Sequence, residues 1–303
     1  MSRKLIPAIL IILTAANLLI FLNREHFRYQ SFATPARLYN TCDESCTHKW
    51  KQFADDYPAG ELEEARHISD SIVNHSTTTF NKILGIGLFL HQNFSHRLGQ
   101  PDNNLLSASP LTQFKRLQTE DSLQLWCGNL SAMFSYFAWS QGIICRNIEI
   151  LNPGNHHVLN ECYLPETSQW IVVDLTNNIM AAESGGNLLH FVGMREQTRN
   201  STEVMAWRRS GDSLVKESLN TQQPFLQTFY DPSRTAFYYH WINYSKVYKW
   251  SFKAKEYFLP VSWYDILRRE KGSNVLFYVK IGAIVLWIAS FFVFLAGRKK
   301  SGS

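Results

Sequence analysis

Residues 125–151, LWCGNLSAMFSYFAWSQGIICRNIEIL, and residues 156–178, HHVLNECYLPETSQWIVVDLTNN, decide the fold. The first stretch opens with an apolar run over 127–141 that predicts a buried helix, stopped by Gly142. Three strand-like runs follow, at 143–151, 157–164 and 170–176. The turn sequences Asn152-Pro153-Gly154-Asn155 and Pro165-Glu166-Thr167-Ser168 separate them and suit antiparallel connections. A helix followed by an antiparallel meander predicts an α+β class.

This order also places chemistry. Cys127 falls in the first turn of its helix, where unpaired N–H groups and the helix dipole favour an anion. The nucleophilic form of a cysteine is its thiolate. His157 opens one strand and Asp174 lies near the end of the next. If those strands pair as a hairpin, the two residues become neighbours, with the helix start close by. Nucleophile, base and orienting acid then stand together.

The same residues resemble the transglutaminase-like superfamily. They show a Cys followed by Gly and an apolar helix ending in Gly-Ile, a strand opening with His and running to Glu and Tyr-Leu, then Trp and an Asp followed within two residues by Thr. The resemblance covers about residues 62–180 and implies a papain/transglutaminase-like core. In it Cys127 is nucleophile, His157 base and Asp174 acid, with Trp170 and Glu161 at the matching aromatic and acidic positions. Leu159 and Leu175 depart from the usual aromatic and Pro, and neither change removes a catalytic atom. The resemblance implies no metal and no organic cofactor; calcium serves the animal enzymes, and no acidic loop suited to it is found here. The backbone N–H of Cys127 and the side chain of Gln124 are candidate oxyanion donors, and Trp126 a candidate wall of the site.

Neighbouring residues read differently. His156 points to the face opposite His157 and is expected at the surface or behind the site. Cys145 and Cys162 are expected in the core, and Glu161 in a structural ion pair or hydrogen bond. Of five Asn-x-Ser/Thr sequons, the one at Asn129 lies in the helix of Cys127, which makes it a poor acceptor.

Outward from this centre, residues 61–75 and 79–95 predict two helices, and 97–124 reads as loop. Gly85-Ile86-Gly87 lacks the context of a phosphate loop and is assigned no function. Residues 23–58 form a linker in which Cys42 and Cys46 either close a small disulfide loop or stay unpaired. The catalytic core is placed at 59–182 and an aromatic-rich extension at 183–273. Fifteen aromatics fall within 225–270, to serve as a second core, a membrane-proximal collar, or a stacking surface for a partner.

Both ends are apolar. Residues 5–22 carry no charge and 275–296 carry only Lys280, which can extend toward the interface. They predict a signal anchor and a second span, with tails 1–4 and 297–303 in the cytoplasm and residues 23–274 outside it, at a bacterial inner membrane facing the periplasm or exterior.

Composition limits the alternatives. With 45% apolar and 18% charged residues among 303, the chain is neither disordered nor low-complexity, and five cysteines are too few for a disulfide scaffold. The net charge of +5 suggests an anionic partner until it is located. Arg3, Lys4, Lys280, Arg298, Lys299 and Lys300 lie outside residues 23–274, and every acid lies inside. The intervening segment therefore carries one more acid than base, which excludes a nucleic-acid surface. The expected function is a membrane-anchored thiol enzyme that acts on peptide or isopeptide amides through an acyl-enzyme on Cys127, with hydrolysis favoured over cross-linking. The alternative is a tethered, non-catalytic assembly protein for envelope or polysaccharide machinery, with a membrane-protein partner on 225–270.

Overall fold

The structure is a computed structural model that describes residues 5–29, 31–32, 60–74, 76–152, 154–240, 250–260, 264–266 and 274–299. Cys42, Cys46 and Trp263 lie outside the described residues. The chain divides into two compact units.

One unit holds the helices Leu5–Leu22 and Asn274–Lys299 with the helix Trp250–Phe258. The two long helices are apolar and long enough to cross a membrane, with mean hydropathies of 2.6 and 2.3 over Leu5–Leu22 and Asn274–Ala296. They pack together, Trp287 Nε1 donating to Thr14 Oγ1 at 2.8 Å. Lys280 in the second helix is buried. Its Nζ lies 4.4 Å from the ring centroids of both Tyr257 and Phe277. A cation on the negative face of a ring is stabilised without water.

The other unit is built from helices and two antiparallel sheets. Helices α1 (Glu61–Val73), α2 (Thr79–Phe94), α3 (Pro110–Thr119) and α4 (Cys127–Ser140) precede strands β1 (Cys145–Asn152), β2 (Asn155–Leu164) and β3 (Gln169–Val173). Then come β4 (Ala181–Ser184), β5 (Asn187–Leu188), α5 (Phe191–Arg199), β6 (Val204–Ser210), β7 (Ser213–Leu219), α6 (Pro224–Phe229), β8 (Ala236–His240) and β9 (Tyr264–Ile266). Within this unit the larger sheet runs β9-β8-β1-β2-β3, and the smaller runs β5-β4-β6-β7. The meander from β1 to β3 is as expected, Cys145 opposite Cys162 and Asn160 opposite Val173.

Two expectations are corrected. The stretch 97–124 contains α3, capped by Ser109, whose Oγ accepts from Thr112 N at 3.2 Å, with Pro110 in the first turn. It buries Leu111, Phe114 and Leu117 on one face. The core also does not end at residue 182. β8 pairs with β1, Ile150 opposite Phe237, so residues from the aromatic segment complete the sheet. Phe225, Phe229, Tyr230, Phe237 and Tyr239 pack in the same core as the predicted catalytic helix.

Helix α4 is buried from Gly128 to Trp139 and lies on β1 and β2. A polar seam fixes it there. Asn160 Nδ2 donates to Ser131 O at 3.1 Å, Ser135 Oγ at 2.7 Å and Asn147 Oδ1 at 3.2 Å. Ser131 Oγ donates to Asn160 Oδ1 at 2.9 Å, and Ser135 Oγ to Asn147 Oδ1 at 2.6 Å. An apolar helix can slide on an apolar sheet at small cost, but a slide here leaves buried polar atoms unpaired. Gly87 in α2 supplies a second constraint. A Cβ on it would lie 3.0 Å from Met180 Cγ and 3.3 Å from Leu175 Cδ2, so its lack of a side chain lets α2 approach the turn that follows Asp174.

Candidate active site

Cys127 begins α4 and is half-buried. The helix start is tied back by Asn129, whose Oδ1 accepts from Trp126 N at 2.9 Å while its Nδ2 donates to Gln113 Oε1 at 3.1 Å. Both ends of that buried amide are used, so Asn129 is held away from glycan attachment. The N–H groups of Cys127 and Gly128 have no acceptor within the helix, as first-turn geometry requires.

His157 is buried, and its Nε2 lies 2.9 Å from Asp174 Oδ2. The Cys127 side chain lies near enough to the same imidazole to help raise its pKa. His157 thus has Asp174 on one side and Cys127 in its neighbourhood. Burial works against the charged imidazole, but the Asp174 charge and its hydrogen bond outweigh it and raise the His157 pKa from 6.5 to about 10. Burial likewise opposes ionisation of Asp174. The adjacent imidazolium, with hydrogen bonds from His157, Tyr230 and Asn177, reverses this and holds the carboxyl below its ordinary range.

Asp174 has more support than the sequence suggested. Tyr230 Oη donates to Oδ2 at 2.7 Å and Asn177 Nδ2 donates to the same oxygen at 2.5 Å. The Asn177 N–H reaches Oδ1 at 3.4 Å, so Asp174 also caps the helical turn Leu175–Asn177. Phe225 and Phe229 close over the imidazole, their centroids 5.0 Å and 5.2 Å from that of His157. Asn177 was detectable from the Asp-x-x-Asn spacing of a capped turn. Tyr230, Phe225 and Phe229 left no such sign, because they arrive from a segment more than fifty residues downstream.

A cavity of about 420 Å³ opens beside the thiol, lined by Trp126, Cys127, Gly128, Asn129, Glu149, His156 and Val158. Gln124 is exposed and outside this lining, and its Oε1 accepts from Gln100 N at 3.1 Å. His156 faces solvent on the cavity side, its Nδ1 3.0 Å from Glu149 Oε1. Glu161 is in a buried ion pair, Oε2 accepting from Arg146 Nε at 2.8 Å and Nη2 at 2.5 Å, while Oε1 accepts from Phe191 N at 2.5 Å. The guanidinium carbon lies 3.9 Å from the Trp170 centroid and 4.3 Å from that of Tyr239. Cys145 and Cys162 are buried free thiols.

No family model matches this chain, and no curated protein does. Two solved structures match part of it. One is a candidate cysteine protease from Cytophaga hutchinsonii, 14% identical with a TM-score of 0.32, covering 60% of this chain and 48% of that one. The other is a candidate protease from Parabacteroides distasonis, 10% identical with a TM-score of 0.27, covering 55% of this chain and 32% of that one. The chain thus spans less than half the length of either, and likeness at this level carries no argument about the site.

Proposed function

We propose that the chain is a membrane-anchored cysteine hydrolase of the transglutaminase-like kind, acting on peptide or isopeptide amide bonds. The observation that carries this is Cys127 at the start of a helix and near His157, whose imidazole is paired with Asp174. The Cys127 sulfur attacks the amide carbonyl, and the proton held on His157 passes to the leaving amine. A thioester remains. Water then adds to it, His157 takes the water's proton, and the acid departs as the sulfur is restored. Asp174 fixes the ring orientation and stabilises the imidazolium. The N–H groups of the first turn of α4 are placed to receive the developing oxyanion.

Hydrolysis is favoured over transamidation because water outnumbers any amine at an extracytoplasmic site. Spans at 5–22 and 275–296, with basic tails and a domain between them, support cytoplasmic tails and a domain facing the periplasm or exterior. The test is labelling of the detergent-solubilised protein with an activity-based electrophile at neutral pH. Cys127 is expected to react well above the rate of a free cysteine, and His157→Ala to abolish that excess. A Cys127 no faster than a free thiol, and indifferent to His157→Ala, overturns the enzymatic reading.

A further inference from the structure

Cys145 and Cys162 take no part in the catalytic arrangement, yet the sheet sets them directly opposite each other on β1 and β2. We propose that these two cysteines are joined as a disulfide in the mature protein, a cross-link that staples β1 to β2 and leaves Cys127 as a thiol. The proposal rests on the reading that the domain lies outside the cytoplasm, where paired thiols oxidise and stay oxidised.

The ladder geometry carries it. Tyr163 N donates to Ile144 O at 2.9 Å, so these two residues form a hydrogen-bonded pair. The two kinds of pair alternate along an antiparallel ladder, which makes Cys145 and Cys162 a non-hydrogen-bonded pair. Opposed Cα atoms in such a pair stand about 4.5 Å apart, with side chains closer than in the other kind. A disulfide requires Cα atoms about 4.4–6.8 Å apart and Cβ vectors that do not diverge.

Side-chain direction agrees. Asn147 bonds Ser135 of α4, and Asn160 bonds Ser131 and Ser135. Cys145 and Cys162, each two residues along its strand from one of those asparagines, therefore point to the same helix, and both are buried. Burial, the neighbouring Cys145 side chain and the Glu161 charge push the Cys162 thiol up. A thiol so placed stays protonated once the fold has closed, so the bond forms earlier, as β1 and β2 pair and before α4 covers them.

Cys127 is out of reach of both. It begins α4, whereas Cys145 lies by the far end, where Trp139 Nε1 donates to Cys145 O at 3.2 Å. A helix of fourteen residues separates its ends by about 20 Å. Joining Cys145 to Cys162 also removes two thiols able to capture the nucleophile during folding.

The oxidant is a disulfide, either of a dithiol protein or of a small molecule. One cysteine of the folding chain ionises, and its thiolate attacks the oxidant's S–S bond, giving a mixed disulfide and one oxidant thiolate. The second cysteine loses its proton and attacks the mixed disulfide, closing the Cys145–Cys162 bond. The oxidant leaves as two thiols, which take up the two protons.

The test is made on the full-length protein from its own membranes, solubilised and denatured in N-ethylmaleimide so that free thiols are trapped before exchange. Chymotrypsin cuts between Cys127 and Cys145, at Phe134, Tyr136 and Phe137, and trypsin cuts between Cys145 and Cys162 at Arg146. Mass spectrometry should find the Cys145 and Cys162 peptides linked to each other and separable by reduction, with Cys127 as its maleimide adduct. A phosphatase fused after Asp212 reports the compartment independently. Maleimide on both Cys145 and Cys162 while the fusion is active overturns this inference alone, and so does either cysteine linked to any other. Maleimide on both with a silent fusion overturns the compartment reading and this inference with it.

Discussion

His157 Nε2 and Asp174 Oδ2 stand 2.9 Å apart with both side chains buried, so the imidazole carries its proton far above the pH at which a free histidine loses it. That relationship fixes the alkaline limb of the rate profile. Activity should persist through neutral pH and fall as pH rises toward about 10. Asp174→Asn removes the charge that raises the base while burial remains, so the limb should move to lower pH, and the rate should drop by about 10⁴ from loss of the correct tautomer. The folded state also binds this proton more tightly than the unfolded chain. The contribution to stability is therefore full below pH 6.5 and fades as pH approaches about 10. A pH series of labelling rates with parallel melting curves checks both, and an unmoved limb in Asp174→Asn excludes His157 as its source.

The Arg146–Glu161 pair predicts an asymmetry. Glu161→Gln takes the carboxylate charge from a buried guanidinium and should cost about 3–5 kcal/mol in chemical denaturation. Arg146→Met combined with Glu161→Gln removes the charge and keeps an acceptor for Phe191 N–H, so it should cost less than half as much. Equal losses would mean that packing between Trp170 and Tyr239, and not charge, holds the arginine.

Asn160 should matter to both fold and site. Asn160→Ala removes the bonds that Asn160 makes to Ser131, Ser135 and Asn147, at about 1–3 kcal/mol for each polar group this leaves unsatisfied, while the Ser135–Asn147 bond remains. Cys127 labelling should slow in the molecules that remain folded, because the seam sets how far α4 carries the thiol past β2. Denaturation and labelling on one preparation separate the effects; full-speed labelling with reduced stability assigns the seam to stability alone.

Gly87 predicts a graded response. Gly87→Ala gains about 1 kcal/mol of helix propensity against a contact that Met180 can relieve, and should be near neutral. Gly87→Val overfills the space and should lose about 1–3 kcal/mol. Melting temperatures of the two variants read this directly, and a neutral valine would show that α2 has room to retreat.

The topology is tested by fusing, after Ser303, a phosphatase that is active only outside the cytoplasm. The fusion should be silent, and the same reporter placed after Asp212, between the two spans, should be active. The reverse pattern overturns the orientation.

The part of the molecule that could be read from sequence is the part whose interactions are local. Residues 127–176 announce themselves through an apolar helix, turn residues at two connections and β-branched runs, and the structure pairs those strands as a meander. The helix α3 was signalled by Ser109-Pro110 and the spacing of Leu111, Phe114 and Leu117, but the surrounding Asn, Ser and Gln hid it. The place of β8 beside β1 had no local sign at all. Pairing across more than eighty residues depends on which edge the meander leaves open, and that is a property of the folded sheet. The aromatics around Asp174 follow from the same pairing, since Phe225, Phe229 and Tyr230 lead directly into β8.

The hydroxyl of Tyr230 on Asp174 also sets an order of events in the life of the chain. A growing polypeptide that has emerged only as far as β7 already contains thiol, imidazole and carboxylate, yet the imidazole has no roof and the carboxylate lacks its phenol. On the proposed mechanism, competence for chemistry therefore waits until residues 225–230 have been made and have packed over the imidazole.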